Sequence, residues 1–166
     1  MIISGSVVKY GDNVNTDVII PGKYLVLTDP KELAKHAMEG IDPNFPPEKG
    51  DKLIIVAGKN FGCGSSREQA AIALKHAGVR CVIAESLARI FYRNAINIGL
   101  PVLQCDGISN FAEKGDRITV DFERGEIRKP SEDSVLKANP LPSFILEIIE
   151  DGGLIPHLRK VVRCTR

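Results

Sequence analysis

The sequence contains no tryptophan, and aromatic residues make up only 5% of its 166 positions. A surface that stacks nucleic acid bases is therefore not expected. Neither sign of charge is in excess: 22 Lys and Arg stand against 21 Asp and Glu, for a net charge of +1. That balance favours neither nucleic acid nor an anionic membrane surface over a small ligand. No apolar run approaches the roughly 18 residues a membrane-spanning helix needs. The opening Met1-Ile2-Ile3-Ser4-Gly5 lacks a basic stretch followed by an apolar one, so a cytoplasmic location is the expectation. The four cysteines, Cys63, Cys81, Cys105 and Cys164, are widely separated, and no C-x-x-C pair occurs. Such spacing argues against a metal centre built by this chain alone, and a disulfide framework is not expected in a cytoplasmic chain of this size. Cys81 and Cys105 fall in apolar runs and read as small core residues. Cys164, beside basic residues, is a candidate for an intermolecular disulfide on oxidation.

What is present is ordinary in amount, with 43% apolar and 26% charged residues, and suits one domain with a real core. Residues 2–10 read as an opening strand. Gly11-Asp12-Asn13 is turn chemistry, and Asn15-Thr16-Asp17 precedes an apolar triplet that Pro21-Gly22 breaks. On its own, Asp17 is a turn or cap residue. Asp29-Pro30 opens a short helix with the aspartate as N-cap, and Gly40 ends it. His36, between Lys35 and Ala37, reads as incidental. Three prolines follow between 41 and 50, so residues 22–50 are expected to be two loops joined by a helix, a lid-like excursion.

From 53 to 105 the pattern changes. Residues 53–57, 79–84 and 102–105 are short apolar runs, separated by helical patterns over 70–77 and from a Ser86 cap through Ile98. Strand–helix–strand–helix–strand predicts parallel βαβ units, and hence an α/β fold. After them, residues 118–122 and 127–128 flank a hairpin turn, 129–142 is a polar stretch with three prolines, and a last helix includes Phe144 to Ile149.

The richest stretch is Lys59-Asn60-Phe61-Gly62-Cys63-Gly64-Ser65-Ser66-Arg67-Glu68-Gln69. It joins a strand to a helix through a glycine turn, an arrangement that points backbone N–H groups at an anion. Ser65 and Ser66 supply hydroxyls, and Arg67 supplies a planar fork matched to a carboxylate. The structural reading of the same letters is a capping box, Ser65-x-x-Glu68 or Ser66-x-x-Gln69, with no function attached.

The whole string resembles the active-site loop of the small subunit of the isopropylmalate isomerase and homoaconitase family, in the aconitase superfamily. The likeness covers most of residues 2–105, including the Asn15-Thr16-Asp17 turn and the Tyr24-Leu25-Val26-Leu27 loop. It implies a single swivelling β/β/α domain over residues 1–166, with 22–50 as the specificity excursion. It also implies a partner: a large subunit, a different chain, carrying a 4Fe-4S cluster, while no cofactor or metal is bound by this one. The implied reaction is dehydration and rehydration of a branched hydroxy-dicarboxylate. By the same likeness Ser65 is the catalytic base and Asp17 part of the proton network. Arg67 and Ser66 bind a substrate carboxylate, and Tyr24, Leu25, Val26 and Leu27 select the substrate.

In this family an arginine at the third place of that loop goes with substrates bearing an extra carboxylate. Val26 stands there, so the resemblance implies 2-isopropylmalate, with homoaconitate or methylated malates as alternatives. The apolar residue near Ile20, where aconitase has a serine, argues against aconitase activity. Homo-oligomer formation by the isolated chain stays open. A reading of another class is a non-catalytic carboxylate- or phosphate-binding module using the same turn. A nucleotide-binding domain is disfavoured, because both G-x-x-x-x-G-K-[ST] and G-x-G-x-x-G are missing.

Overall fold

A computed structural model describes residues 1–46 and 52–164, the side chain of Cys164 excepted. The chain opens with β1 (Ile2–Lys9) and a one-turn helix α1 (Thr16–Ile19), followed by a 3-10 turn over Gly22–Tyr24 and α2 (Pro30–Ala34). The alternating region is β2 (Leu53–Ala57), α3 (Glu68–His76), β3 (Val79–Ala84), α4 (Arg89–Asn97), β4 (Val102–Gln104) and the short α5 (Ile108–Phe111). It closes with β5 (Arg117–Asp121), β6 (Glu126–Lys129), β7 (Ser134–Lys137), α6 (Ser143–Glu150) and α7 (Leu154–Cys164).

The strands form one seven-stranded sheet in the order β4-β3-β2-β1-β5-β6-β7. Its first half is parallel: β1 pairs with β2, β2 with β3, and β3 with β4. Its second half is antiparallel, and β1 belongs to both. The predicted α/β fold with a parallel βαβ core is therefore present. Residues 53–57 are apolar at every position because both faces of β2 are covered, and all five are buried. The four buried residues of α3 are Ala70, Ala71, Ala73 and Leu74, small enough to let the helix sit close to its neighbours. On the antiparallel side β5 alternates, with Ile118 and Val120 inward and polar neighbours outward.

Four local expectations are corrected. The helix after the glycine turn begins at Glu68 with Arg67 as N-cap and no side-chain capping bond, so neither capping box forms. Ser86 does not cap α4, whose N-cap is Ala88. Its hydroxyl instead accepts from the Asn60 amide at 2.8 Å, and so serves the loop at the end of β2. The polar stretch 129–142 contains β7, whose burial alternates as expected of an edge strand; the prolines lie outside its four residues. Residues 154–164 form a helix, because Pro156 falls in its first turn, where a missing N–H costs nothing. Of the excursion predicted over 22–50, residues 47–50 lie outside the described residues, as does the side chain of Cys164 on which the disulfide reading rests.

Candidate active site

Beyond the carboxyl ends of β1 and β2, two loops run side by side. Tyr10 N–H donates to the Val56 carbonyl (2.8 Å), Gly58 N–H to Gly11 (3.1 Å), Asn13 N–H to Lys59 (2.8 Å), Gly62 N–H to Val14 (2.7 Å) and Thr16 N–H to Cys63 (2.8 Å). Side chains add to this zipper: the Asp12 carboxylate accepts from Lys59 N–H at 2.6 Å, and the Thr16 hydroxyl donates to the Ser65 carbonyl at 3.0 Å. The Asn15-Thr16-Asp17 turn and the Gly62–Ser66 loop are thus one structure, although nearly fifty residues separate them.

Gly62 explains the sharpness of the turn. Its φ is +78°, and a Cβ there would stand 2.2 Å from Cγ of Phe91. Phe91 is buried on α4 and packs edge-on against buried Phe61, with ring centroids 5.2 Å apart. The loop is therefore anchored from beneath while its upper residues, Gly64, Ser65 and Ser66, are exposed. The α3 helix begins just after them, and its first amides have no intrahelical acceptor and face the serines' end of the helix.

Arg67 is the organising charge. Its guanidinium pairs with the Asp17 carboxylate and donates to the Ile20 carbonyl at 3.2 Å. A Cβ on Gly22 would lie 3.7 Å from the same guanidinium, so the start of the 22–27 loop passes beside it. The arginine side chain is 14% exposed and Asp17 is 57% exposed. Asp17 Oδ1 and the Ile20 carbonyl both meet the same terminal nitrogen of the guanidinium, Nη1.

The remaining predicted residues divide. Leu25 and Leu27 are half-buried against the core, whereas Val26 is 82% exposed. Tyr24 turns its hydroxyl to Glu39 Oε1 at 2.8 Å and stacks its ring on His36, with centroids 3.6 Å apart. Its polar end is committed to the excursion rather than to the serine loop. Reading the sequence did not place His36 or Glu39 beside Tyr24. The only available signal was their own i, i+3 spacing, which many surface helices share.

Among the described residues, no group of three or more His, Cys, Asp or Glu side chains is placed to hold a metal ion. Cys81 and Cys105 are buried, and burial pushes the Cys81 thiol up and the Cys105 thiol to about 11, the reverse of what a thiolate ligand requires. A cleft of about 400 Å³ lined by residues including Leu87, Arg89, Tyr92 and Leu141 contains none of the predicted site residues. Among the described residues, no helix is long and apolar enough to cross a membrane.

The described residues thus place an exposed serine loop at the carboxyl ends of parallel strands, with a partly buried arginine beside it. Comparison with known proteins gives the family. The Aconitase C-terminal domain family matches residues 27–106, which include Ser65, Ser66 and Arg67 and exclude Asp17 and Tyr24 to Val26. The chain is 57% identical over 159 residues to the isopropylmalate/citramalate isomerase small subunit of Methanocaldococcus jannaschii, covering 96% of this chain and 95% of that one. It is 57% identical over 159 residues to the 3-isopropylmalate dehydratase small subunit of Halothermothrix orenii, covering 96% of each. A crystal structure of a 3-isopropylmalate dehydratase from Methanocaldococcus jannaschii superimposes with a TM-score of 0.90 at 47% identity, over 99% of both chains. The chain belongs to the family of 3-isopropylmalate dehydratase small subunits.

Proposed function

We propose that this chain is the small subunit of a two-subunit hydro-lyase that interconverts 2-isopropylmalate and 3-isopropylmalate through isopropylmaleate, a step of leucine biosynthesis. Residues 1–166 act as one swivelling domain, and 22–50 is its specificity excursion. The observation that carries the reading is the constellation of exposed Ser65, Ser66 and Asp17 beside the partly buried Arg67. Dehydration requires a site closed to water, so exposed catalytic groups need a second wall. The large subunit is that wall.

The residues of this chain divide the chemistry among them. Arg67 takes a substrate carboxylate once Asp17 releases it, with two parallel N–H donors where a single charge would leave the substrate free to turn. Ser66 adds a hydroxyl hydrogen bond to the same carboxylate. With the substrate so held, the Ser65 oxygen takes the proton from the carbon beside a carboxylate. The electron pair left behind becomes the double bond as hydroxide departs from the adjacent carbon. Hydration of the intermediate runs the same steps in reverse with the hydroxyl on the other carbon.

A serine oxygen is a weak base in water. The free amides at the start of α3 and the positive end of that helix favour its anionic form in a closed site, where one well-placed donor contributes about 3 kcal/mol. Asp17, freed from Arg67, is the carboxylate through which the proton is relayed. A 4Fe-4S cluster on the large subunit would supply the Lewis acidity that assists loss of hydroxide. Among the described residues, no group of three or more His, Cys, Asp or Glu side chains is placed to hold such a cluster. Leu25, Val26 and Leu27 present an apolar surface that suits an isopropyl group and leaves a third carboxylate unpartnered.

The test is to purify the chain with its large subunit under anaerobic conditions and to assay hydration of isopropylmaleate and of homoaconitate. Turnover of isopropylmaleate, with Ser65→Ala lowering it by about 10²–10⁴-fold while the complex still assembles, is the expected result. Full activity in Ser65→Ala removes the serine from the mechanism. Silence on both substrates with an intact cluster would leave the serine loop as a carboxylate-binding module without chemistry.

A further inference from the structure

The loop over residues 22–27 has little backbone holding it in place. Among the described residues its hydrogen bonds are local: Tyr24 N–H to the Pro21 carbonyl at 2.9 Å, Leu25 N–H to Gly22 at 3.2 Å and Leu27 N–H to Tyr24 at 3.0 Å. No strand pairs with it, so what fixes its height over the site must come from side chains. Leu25 and Leu27 pack against the core, and the polar side chains around Tyr24 are found together. The Glu39 carboxylate accepts from the Tyr24 hydroxyl at 2.8 Å and lies 2.6 Å from His36 Nδ1. Lys23 Nζ stands 3.3 Å from the same carboxylate and 4.6 Å from the centre of the Tyr24 ring. The His36 ring closes the group by stacking flat on Tyr24, 3.6 Å between centroids and 10° between planes.

The platform under this cluster is itself tied to the active site. Met38, between His36 and Glu39, has φ +60° with its side chain fully buried, a conformation rare for a residue of its size. The turn it makes reverses the chain. Met38 N–H donates to the Ile19 carbonyl at 2.7 Å and Gly40 N–H to Val18 at 3.2 Å. Val18 and Ile19 belong to α1, the helix that carries Asp17. Gly40 is required by that approach, because a Cβ there would stand 2.6 Å from Val18 Cα. The segment 36–40 is therefore docked on the helix of Asp17 and, through Glu39 and His36, grips the tyrosine that begins the selective loop. Hydrogen bonds from His36 first and Tyr24 second hold the Glu39 carboxyl below the usual glutamate range, so it stays an acceptor across the neutral pH range.

The geometry points to Glu39 and His36 as positioning residues that set substrate selection by clamping Tyr24, and with it Leu25 to Leu27, in register with Asp17 and Arg67. Neither residue touches substrate in this role; both act through the loop. The inference rests on the function proposed above. Its distinguishing feature is that loosening the clamp lets the loop wander without altering the serine, so ground-state binding and selectivity suffer while the chemical step persists.

The experiment uses the complex with the large subunit. Glu39→Ala is expected to raise KM for isopropylmaleate about tenfold with kcat within about twofold of the parent. Glu39→Gln keeps an acceptor for Tyr24 and an amide that can face the histidine, and is expected to restore KM to within about threefold. Tyr24→Phe in the Glu39→Ala background should add nothing, because both changes remove one coupled contact. Amide hydrogen exchange over residues 22–27 should quicken about tenfold in Glu39→Ala, a reading that does not depend on turnover. An unchanged KM, or a fall in kcat at unchanged KM, overturns the positioning role. Unchanged exchange in Glu39→Ala overturns the clamp by itself. Silence of the parent complex on isopropylmaleate would instead sink the functional reading, and the specificity role with it.

Discussion

At the scale of single residues, the site is built from groups held in a waiting arrangement. Arg67 is satisfied by Asp17 and the Ile20 carbonyl, so its charge is not left bare in a partly buried position before a ligand arrives. Val26 has no such arrangement: at 82% exposure its side chain is free for whatever approaches the loop. That exposure makes its replacement harmless to the fold and informative about selection. Val26→Arg is expected to move kcat/KM toward homoaconitate over isopropylmaleate by at least about tenfold, since one well-placed charge–carboxylate contact is worth that much. Melting temperature should stay within a degree or two of the parent. Parallel assays on the two substrates check the first statement and calorimetry the second. An unmoved ratio would mean that residue 26 does not meet the substrate's variable group.

At the scale of elements, the serine loop depends on a helix that contributes nothing to its chemistry. Buried Phe91 on α4 supports both Phe61 and the underside of Gly62, and the Ser86 hydroxyl, just before α4, holds the Asn60 amide. Gly62→Ala would force a Cβ to within 2.2 Å of a ring atom at a φ of +78°. Both the backbone and the packing oppose it, and a loss of roughly 2–4 kcal/mol in urea unfolding is expected. Gly64→Ala is the control. Its φ is +92° but its Cβ would meet nothing closer than 3.4 Å, so it should cost the backbone penalty of roughly 1–2 kcal/mol. Equal losses in the two variants would show that Phe91 yields and does not brace the loop.

At the scale of the whole molecule, the sheet is divided between two tasks. Its parallel half ends at the serine loop, and its antiparallel half carries clusters of paired charges. Glu126 on β6 is the clearest of these. Lys137 first and Arg128 second, both hydrogen-bonded to its carboxylate, pull its pKa down to about 2 from an ordinary 4.5. A carboxyl depressed by folding stabilises the fold fully above its unfolded pKa, and that contribution drains away as pH falls toward the folded value. The melting-temperature difference between the parent and Glu126→Gln should therefore be greatest above about pH 4.5 and shrink steadily toward about pH 2. A difference that holds constant across that window would place the stabilising effect elsewhere than in the carboxylate's charge.

The sequence by itself determined the parallel core and the place of the serine loop between a strand and a helix, because both are written in contiguous letters. Runs such as Leu53 to Ala57 are apolar throughout, which only a doubly covered strand explains, and Gly62 to Arg67 places its glycines, hydroxyls and guanidinium within one turn. It also indicated Asp17 and the 24–27 loop, through the company they keep in one family. Its reading of Ser86 as a helix cap, and the alternative reading of Ser65 and Ser66 as capping boxes, both fail, since a hydroxyl before an apolar run satisfies the same pattern whether or not it meets an amide. The tertiary structure alone decided which groups meet. The Arg67–Asp17 pair, the hydrogen-bonded zipper between residues 10–16 and 56–63, and the grip of Glu39 and His36 on Tyr24 are long-range or turn-dependent contacts. No local periodicity records them. They exist because adjacent parallel strands bring the ends of β1 and β2 together, and because the turn at Met38 folds the intervening excursion back onto α1.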